Sequence, residues 1–273
     1  YTPIYCCPTI DGVLAHAGIT PTPYHVTSGF VLDIDLDSLG PDDYVFYVNY
    51  YGICDGVIKT LLERGVNLII DNSHCLFRSF SDAACTIFSP KKFAGLPDGG
   101  VMLANVGNVK EPAEQDATSM DRMSHLLRRA SESAEAGYED FKTNRATLNN
   151  QPPKSMSALT RRLLGHIDWD ECKEKRTRNF AHLHDSLKSL NALSCDSALV
   201  GAFCYPLFMP DADVASIRQK LIAKKIFIPQ YWPGLSLDKL NDFEREIMEK
   251  TLALPIDQRH STDDLDFVLK ELL

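Results

Sequence analysis

The sequence predicts an α/β fold, with a large unit built on a mainly parallel sheet and a smaller C-terminal α/β unit after it. Three observations predict it. Short apolar runs alternate with helically spaced stretches along the chain. Val66, Leu68, Ile69 and Ile70 form a near-continuous apolar run, the pattern of a strand covered on both faces. At 273 residues, 44% of them hydrophobic, the chain can bury one large core or two.

Taken in order, Tyr5 to Gly18 reads as a short strand running into a helix, and Tyr24 to Val31 as a strand. Asp35 to Leu39 is a helical turn, and Val45 to Val48 a strand ending at Asn49-Tyr50-Tyr51-Gly52. Gly56 to Glu63 is a helix with Val57, Ile58, Leu61 and Leu62 on its inner side. Strands follow at Leu68 to Ile70, Thr86 to Phe88 and Gly99 to Leu103. Met120 to Ala134 carries an apolar stripe of core-packing type, while the polar stretch Glu135 to Lys154, with Asn149-Asn150-Gln151-Pro152-Pro153 at its end, reads as a long loop. Ser155 to Leu164 and Trp169 to Leu190 are helices, the second linking the two units. Then come a strand (Val200 to Phe208), a helix (Val214 to Lys224), a strand (Ile226 to Gln230), a helix (Phe243 to Leu252), a short strand (Ala253 to Ile256) and a closing helix (Thr262 to Leu272). Asp263 and Asp264 in the first turn of that last helix suit its dipole. The boundary between the units is expected at 154/155, giving a large domain over 1–154 and linking helices with the small domain over 155–273.

Composition narrows the chemistry. A formal charge of −9 excludes the basic footprint that nucleic acid requires. Eight cysteines show neither a CxxC pair nor disulfide-like spacing, which points to a reducing, cytoplasmic setting and away from zinc. No apolar run approaches the ~20 residues of a membrane span. No metal site is expected.

The chemistry-bearing stretch runs from Leu68 to Val101. Asp71 closes its apolar strand at the carboxyl end, where parallel sheets hold ligands; an isolated Asp there also commonly caps a turn. Its carboxylate suits a protonated ring nitrogen, since each charged form favours the other. Ser89-Pro90-Lys91-Lys92 follows the next strand. A desolvated lysine loses basicity and attacks carbonyls, whereas a loop lysine is ordinarily solvated.

Together, Asp71-x-x-His74, Ser89 shortly before Lys92, and Gly99-Gly100 opening the next strand resemble the core of fold-type I pyridoxal-phosphate (PLP) enzymes, and most of all the DegT-type nucleotide-sugar aminotransferases. YCCPTIDGVLAHAGITP, LDIDLDSL, VFYVNYYGICDGV and ALPIDQRHSTDDLDFVLKEL resemble further family segments in the correct order. The resemblance implies that Asp71 pairs with the cofactor ring nitrogen, His74 lies beside the ring, Ser89 contacts the phosphate and Lys92 carries the cofactor as a Schiff base. Lys92 is preferred to Lys91 because Gly99-Gly100 then falls at the family's usual distance. It further implies an amino-acid donor, commonly glutamate, a nucleotide-linked keto-sugar acceptor, and a homodimer. A glycine-rich phosphate-binding turn is expected ahead of Tyr5, in a natural chain that starts upstream.

Two departures bear on the substrate. The family's Asn-x-Arg-Met is absent, with Pro153, Lys154 and Ser155 before Met156, and Cys7 stands where an aromatic often stacks on the ring. Elimination or desulfurase-like PLP chemistry, and a non-catalytic PLP-fold binding module, remain the alternative readings. Sugar dehydratases related to the family have histidine in place of the lysine, and Lys92 speaks against that branch.

Overall fold

The structure, a computed structural model, describes residues 1–149 and 151–273; Asn150, in the stretch expected to be a loop, lies outside the described residues. The organising element is a four-stranded sheet of β5 (Val45–Val48), β6 (Leu68–Asp71), β7 (Cys85–Phe88) and β8 (Val101–Ala104), in that spatial order. Ahead of it in the chain lie β1 (Thr2–Pro3), α1 (Thr9–His16), β2 (Pro23–Tyr24), β3 (Val26–Thr27) and β4 (Val31–Leu32). β6 pairs in parallel with β5 and β7, and β8 runs antiparallel to β7. α2 (Asp55–Glu63) makes the crossover from β5 to β6 and buries Ile58 and Leu61, about 1.5–3 kcal/mol for each side chain. The mainly parallel sheet is as the apolar runs predict.

The remaining elements are α3 (Ser124–Ser131), α4 (Tyr138–Ala146), α5 (Ala158–Leu164), α6 (Trp169–Leu187), β9 (Cys204–Phe208), α7 (Val214–Ala223), α8 (Asp242–Lys250), β10 (Thr251–Pro255) and α9 (Thr262–Leu272). β9 and β10 form an antiparallel pair. One cluster of buried residues centres on β5, β6 and the N-terminal segment, and a second on α6, β9, α7, β10 and α9. Glu244 joins α8 to the N-terminal hairpin. Fully buried, it accepts hydrogen bonds from the backbone N–H of Val26 (2.9 Å) and Asn241 (3.0 Å) and pairs with His25 Nδ1 at 2.8 Å.

Several elements differ from the sequence expectation. The first strand lies at Thr2–Pro3 rather than from Tyr5. The strand expected over Tyr24 to Val31 is three two-residue pieces broken by a turn in which Phe30 takes φ 59°. Met120 to Ala134 shortens to α3 behind a single 3₁₀ turn. The expected loop from Glu135 contains α4, whose buried Asn144 donates to Arg122 O (3.2 Å) and Ser124 Oγ (3.0 Å). Ile226 to Gln230 forms no strand, because Pro229 lacks an N–H and no neighbouring strand pairs with it among the described residues.

The loop after Lys92 is pinned by a buried polar knot. Asp98 accepts from Arg122 Nε (2.9 Å), Ser119 Oγ (2.6 Å) and Thr160 Oγ1, tying this loop to the start of α3 and to α5. Removing Asp98 takes the shared acceptor from Arg122, Ser119 and Thr160 together and leaves the buried Arg122 with the Asp116 carboxylate alone. Asp98→Ala is therefore expected to lower unfolding stability by about 3–5 kcal/mol in urea denaturation; a loss below ~1 kcal/mol would show that the knot is not what holds the loop.

Candidate active site

Parallel pairing brings the carboxyl ends of β5, β6 and β7 to one edge of the sheet. Asn49, Asp71 and Ser89 leave their strands there. Asn49 N–H donates to Asp71 O (3.0 Å), and Asn72 N–H donates to Ile87 O (2.8 Å), so the ladder continues one residue past the named strands. Below the edge, buried Asn49 donates from Nδ2 to Asn72 Oδ1 (2.8 Å) and accepts from Cys54 N–H (2.9 Å). Asn72 Nδ2 in turn donates to Arg78 O (2.7 Å). These amides lock the strand ends together.

Asp71 is half-buried, and its Oδ1 accepts from Ser73 N–H at 2.9 Å. That bond is the turn cap an Asp often makes, and it leaves the second oxygen for another donor.

His74 is buried, and neither ring nitrogen has a hydrogen-bond partner. Its ring lies flat against Phe203, with centroids 4.9 Å apart and planes 7° apart, and Tyr231 packs at 5.0 Å. Burial, with Lys92 adding to it, pushes His74 well below the ordinary histidine value and keeps the ring neutral. A neutral imidazole carries one donor and one acceptor, and a buried pair of unmet polar atoms is rare in a finished protein. Gly52 sets this position. At φ +75°, its backbone passes so close that a Cβ would stand 2.2 Å from His74 O, a place only glycine fits. The preceding Tyr51 holds φ 53°, a strained value for a bulky side chain.

Lys91 and Lys92 lie in a 3₁₀ turn after β7, where Lys92 N–H donates to Ser89 O at 3.0 Å. Lys92 is open to solvent, yet the surrounding protein mass lowers its amine below the ordinary lysine value; Asp71 and Cys7 oppose that shift. Lys91 is lowered too, first by burial and then by Lys92, but the carboxylate opposing it is Asp98, already held by Arg122. The two lysines thus feel different acids, and Asp71 acts on Lys92. Ser89 is half-buried at the strand end, its hydroxyl free of protein partners among the described residues.

Asp71, His74, Ser89 and Lys92 are therefore gathered at one edge of the sheet. Sequence reasoning missed Arg78 and Arg176. Arg78 pairs with Asp55 (2.7 Å) and donates to Val200 O (2.6 Å), and Arg176 is fully buried. Both act mainly on backbone carbonyls, which leave no trace in a residue pattern. Among the described residues no cluster of metal-ligating side chains forms, and no helix is long and apolar enough to cross a membrane.

No family model matches the sequence, and no curated protein matches it. Solved structures do. A protein of Streptococcus pneumoniae assigned as a sugar aminotransferase, in its PMP form, is 15% identical with a TM-score of 0.67, covering 99% of this chain and 79% of its own. An aminotransferase of pseudoaminic acid biosynthesis from Helicobacter pylori is 13% identical (TM-score 0.60; 99% and 77% covered). A GDP-4-keto-6-deoxymannose-3-dehydratase variant with bound GDP-perosamine is 15% identical (TM-score 0.61; 100% and 79% covered). The likeness establishes the fold. It is the fold-type I α/β architecture that the sequence leads one to expect.

Buried neutral His74 makes stability pH-dependent. Its folded value lies below the unfolded one, so its stabilising contribution is complete above about pH 6.5 and is lost as pH falls toward the folded value. His74→Phe is expected to gain stability on the wild type as pH falls below about 6.5, read as the difference between their urea-denaturation curves. Parallel pH profiles would contradict a buried neutral ring.

Proposed function

We propose that this chain is a PLP-dependent aminotransferase of the DegT type. It moves an amino group from an amino acid, glutamate by preference, to a keto acceptor that is a nucleotide-linked keto-sugar. The observation that carries this reading is the Lys92 amine, lowered in basicity and acted on by Asp71 at the carboxyl edge of a parallel sheet. Lys92 also speaks against the dehydratase branch, which the fold alone does not separate.

The residues present fit the cofactor. Buried His74 has two unpartnered ring nitrogens beside Lys92, the mark of a place shaped for a polar group that is not protein. Asp71 would hold the pyridine nitrogen, His74 the ring-side contact, Ser89 the phosphate, and Lys92 the covalent attachment. Bound there, PLP supplies an aldehyde that captures amines and a ring that takes up carbanion electrons.

The protein's part is electrostatic and acid–base. Asp71, on the edge of the fixed ladder, favours a positive ring nitrogen. Lys92 carries a larger free-amine fraction near neutral pH than an ordinary lysine, so it can accept and return a proton at Nζ during the 1,3-shift of the substrate. His74, held neutral, accepts or donates one hydrogen bond without adding charge.

The keto-sugar acceptor is supported by the chemistry named for the structural neighbours, one of them solved in the presence of its TDP-sugar product (17% identical, TM-score 0.58). A cytoplasmic homodimer and a division into domains at 154/155 belong to the same reading. The test uses full-length protein incubated with PLP and reduced with borohydride. A cofactor-mass adduct on the Lys92 peptide, lost in Lys92→Ala and kept in Lys91→Ala, is expected. Glutamate should bleach the visible band before reduction and yield 2-oxoglutarate. An adduct on Lys91, or none in folded protein, would overturn the assignment.

A further inference from the structure

Arg176 lies on α6, 2% exposed, with no carboxylate in ion-pair range among the described residues. Burial lowers its guanidinium to about 10, so it remains charged at neutral pH. Its donors are spent elsewhere. Nε donates to Gln258 Oε1 (2.9 Å), Nη1 to the carbonyls of Ala202 (3.2 Å) and Phe203 (3.1 Å), and Nη2 to Phe93 O (3.3 Å). Gln258 Nε2 reinforces the last of these, donating to Phe93 O at 2.7 Å. The guanidinium also sits over the Phe93 ring, 4.7 Å from its centroid.

Both ends of this clamp reach the site. Phe93 directly follows Lys92 in the chain. Phe203 is the ring stacked on His74, it meets Phe93 at 5.6 Å, and the adjoining Ala202 bridges to Cys75, next to His74. A buried, unpaired arginine is a costly way to fill space that an apolar side chain would fill more cheaply. What an apolar side chain cannot do is hold three carbonyls from two separate stretches of chain at once, which suits the rigid fork of a guanidinium.

We propose that Arg176, with Gln258, is a positioning residue that sets the Lys92 backbone and the His74 ring in register from a helix to which neither belongs. The inference deepens the aminotransferase reading of Lys92 and His74 and rests on it. Released from the clamp, the Phe93 carbonyl is free to turn, and the adjoining Lys92 shifts away from the protein surroundings that lower its amine. Its amine then returns toward ordinary lysine basicity.

The test is competitive labelling of amines in cofactor-free protein with trace acetic anhydride across pH, scored by peptide mass with exposed Lys59 as internal reference. Arg176→Lys keeps the charge and loses the fork; Gln258→Leu keeps the guanidinium but removes one donor to Phe93 and the acceptor of Arg176 Nε. Both are expected to raise the Lys92 titration, cutting its labelling relative to Lys59 at about pH 8, with the larger loss in Arg176→Lys and the smaller in Gln258→Leu. A second arm measures borohydride-trapped PLP on Lys92 at limiting cofactor, expected to fall in the same order. Folded variants whose Lys92 titrates as in the wild type overturn the proposal. If Arg176→Lys does not fold, Gln258→Leu decides. Wild-type protein that takes no PLP on Lys92 would sink the cofactor reading, while the labelling arm would still decide the clamp.

Discussion

Because β6 is paired in parallel on both sides, the direction of three successive strands is fixed, and with it the place where their polar ends emerge. Asn49, Asp71 and Ser89 come from points far apart in sequence and meet at one edge through that ladder. The edge is then stiffened from below by the Asn49–Asn72 amide pair and from the side by the Asp98–Arg122 knot. An antiparallel partner for β6 would send one of these ends to the opposite side of the sheet. The candidate site depends first on strand direction and only then on the residue types it gathers.

Desolvation decides what those residues can do. The surrounding protein mass lowers both solvent-open Lys92 and buried His74, giving a lysine of reduced basicity and a neutral imidazole. The opposing carboxylates separate the two adjacent lysines: Asp71 acts on Lys92, while Asp98 near Lys91 is engaged by Arg122. Basicity alone does not distinguish them. The orphan nitrogens of His74 complete the picture, since their desolvation cost is recovered only when something polar meets them.

The sheet was legible because its strands are apolar runs whose pattern needs no context, and α2, α7 and α9 because their apolar spacing is regular. α4 was not. Its sequence is polar, and buried Asn144, docked on the start of α3, is a long-range contact that local pattern does not show. Ile226 and Ile228 misled in the opposite way: both are buried, alternating about Phe227 as in a strand, but no neighbour pairs with them among the described residues. In the site, Asp71, His74, Ser89 and Lys92 were readable through their spacing. Gly52, Arg78 and Arg176 were not, because each acts through backbone carbonyls or close approach, and either kind of contact exists only once the chain is folded.

The most direct measurement is a crystal structure of the full-length protein reduced with borohydride in the presence of PLP. Continuous density from Lys92 Nζ to the cofactor, with the ring nitrogen in hydrogen-bond reach of Asp71 and His74 in contact with the ring, is the predicted result. Density joined to Lys91, or a cofactor bound away from the carboxyl edge of β5, β6 and β7, would contradict the account.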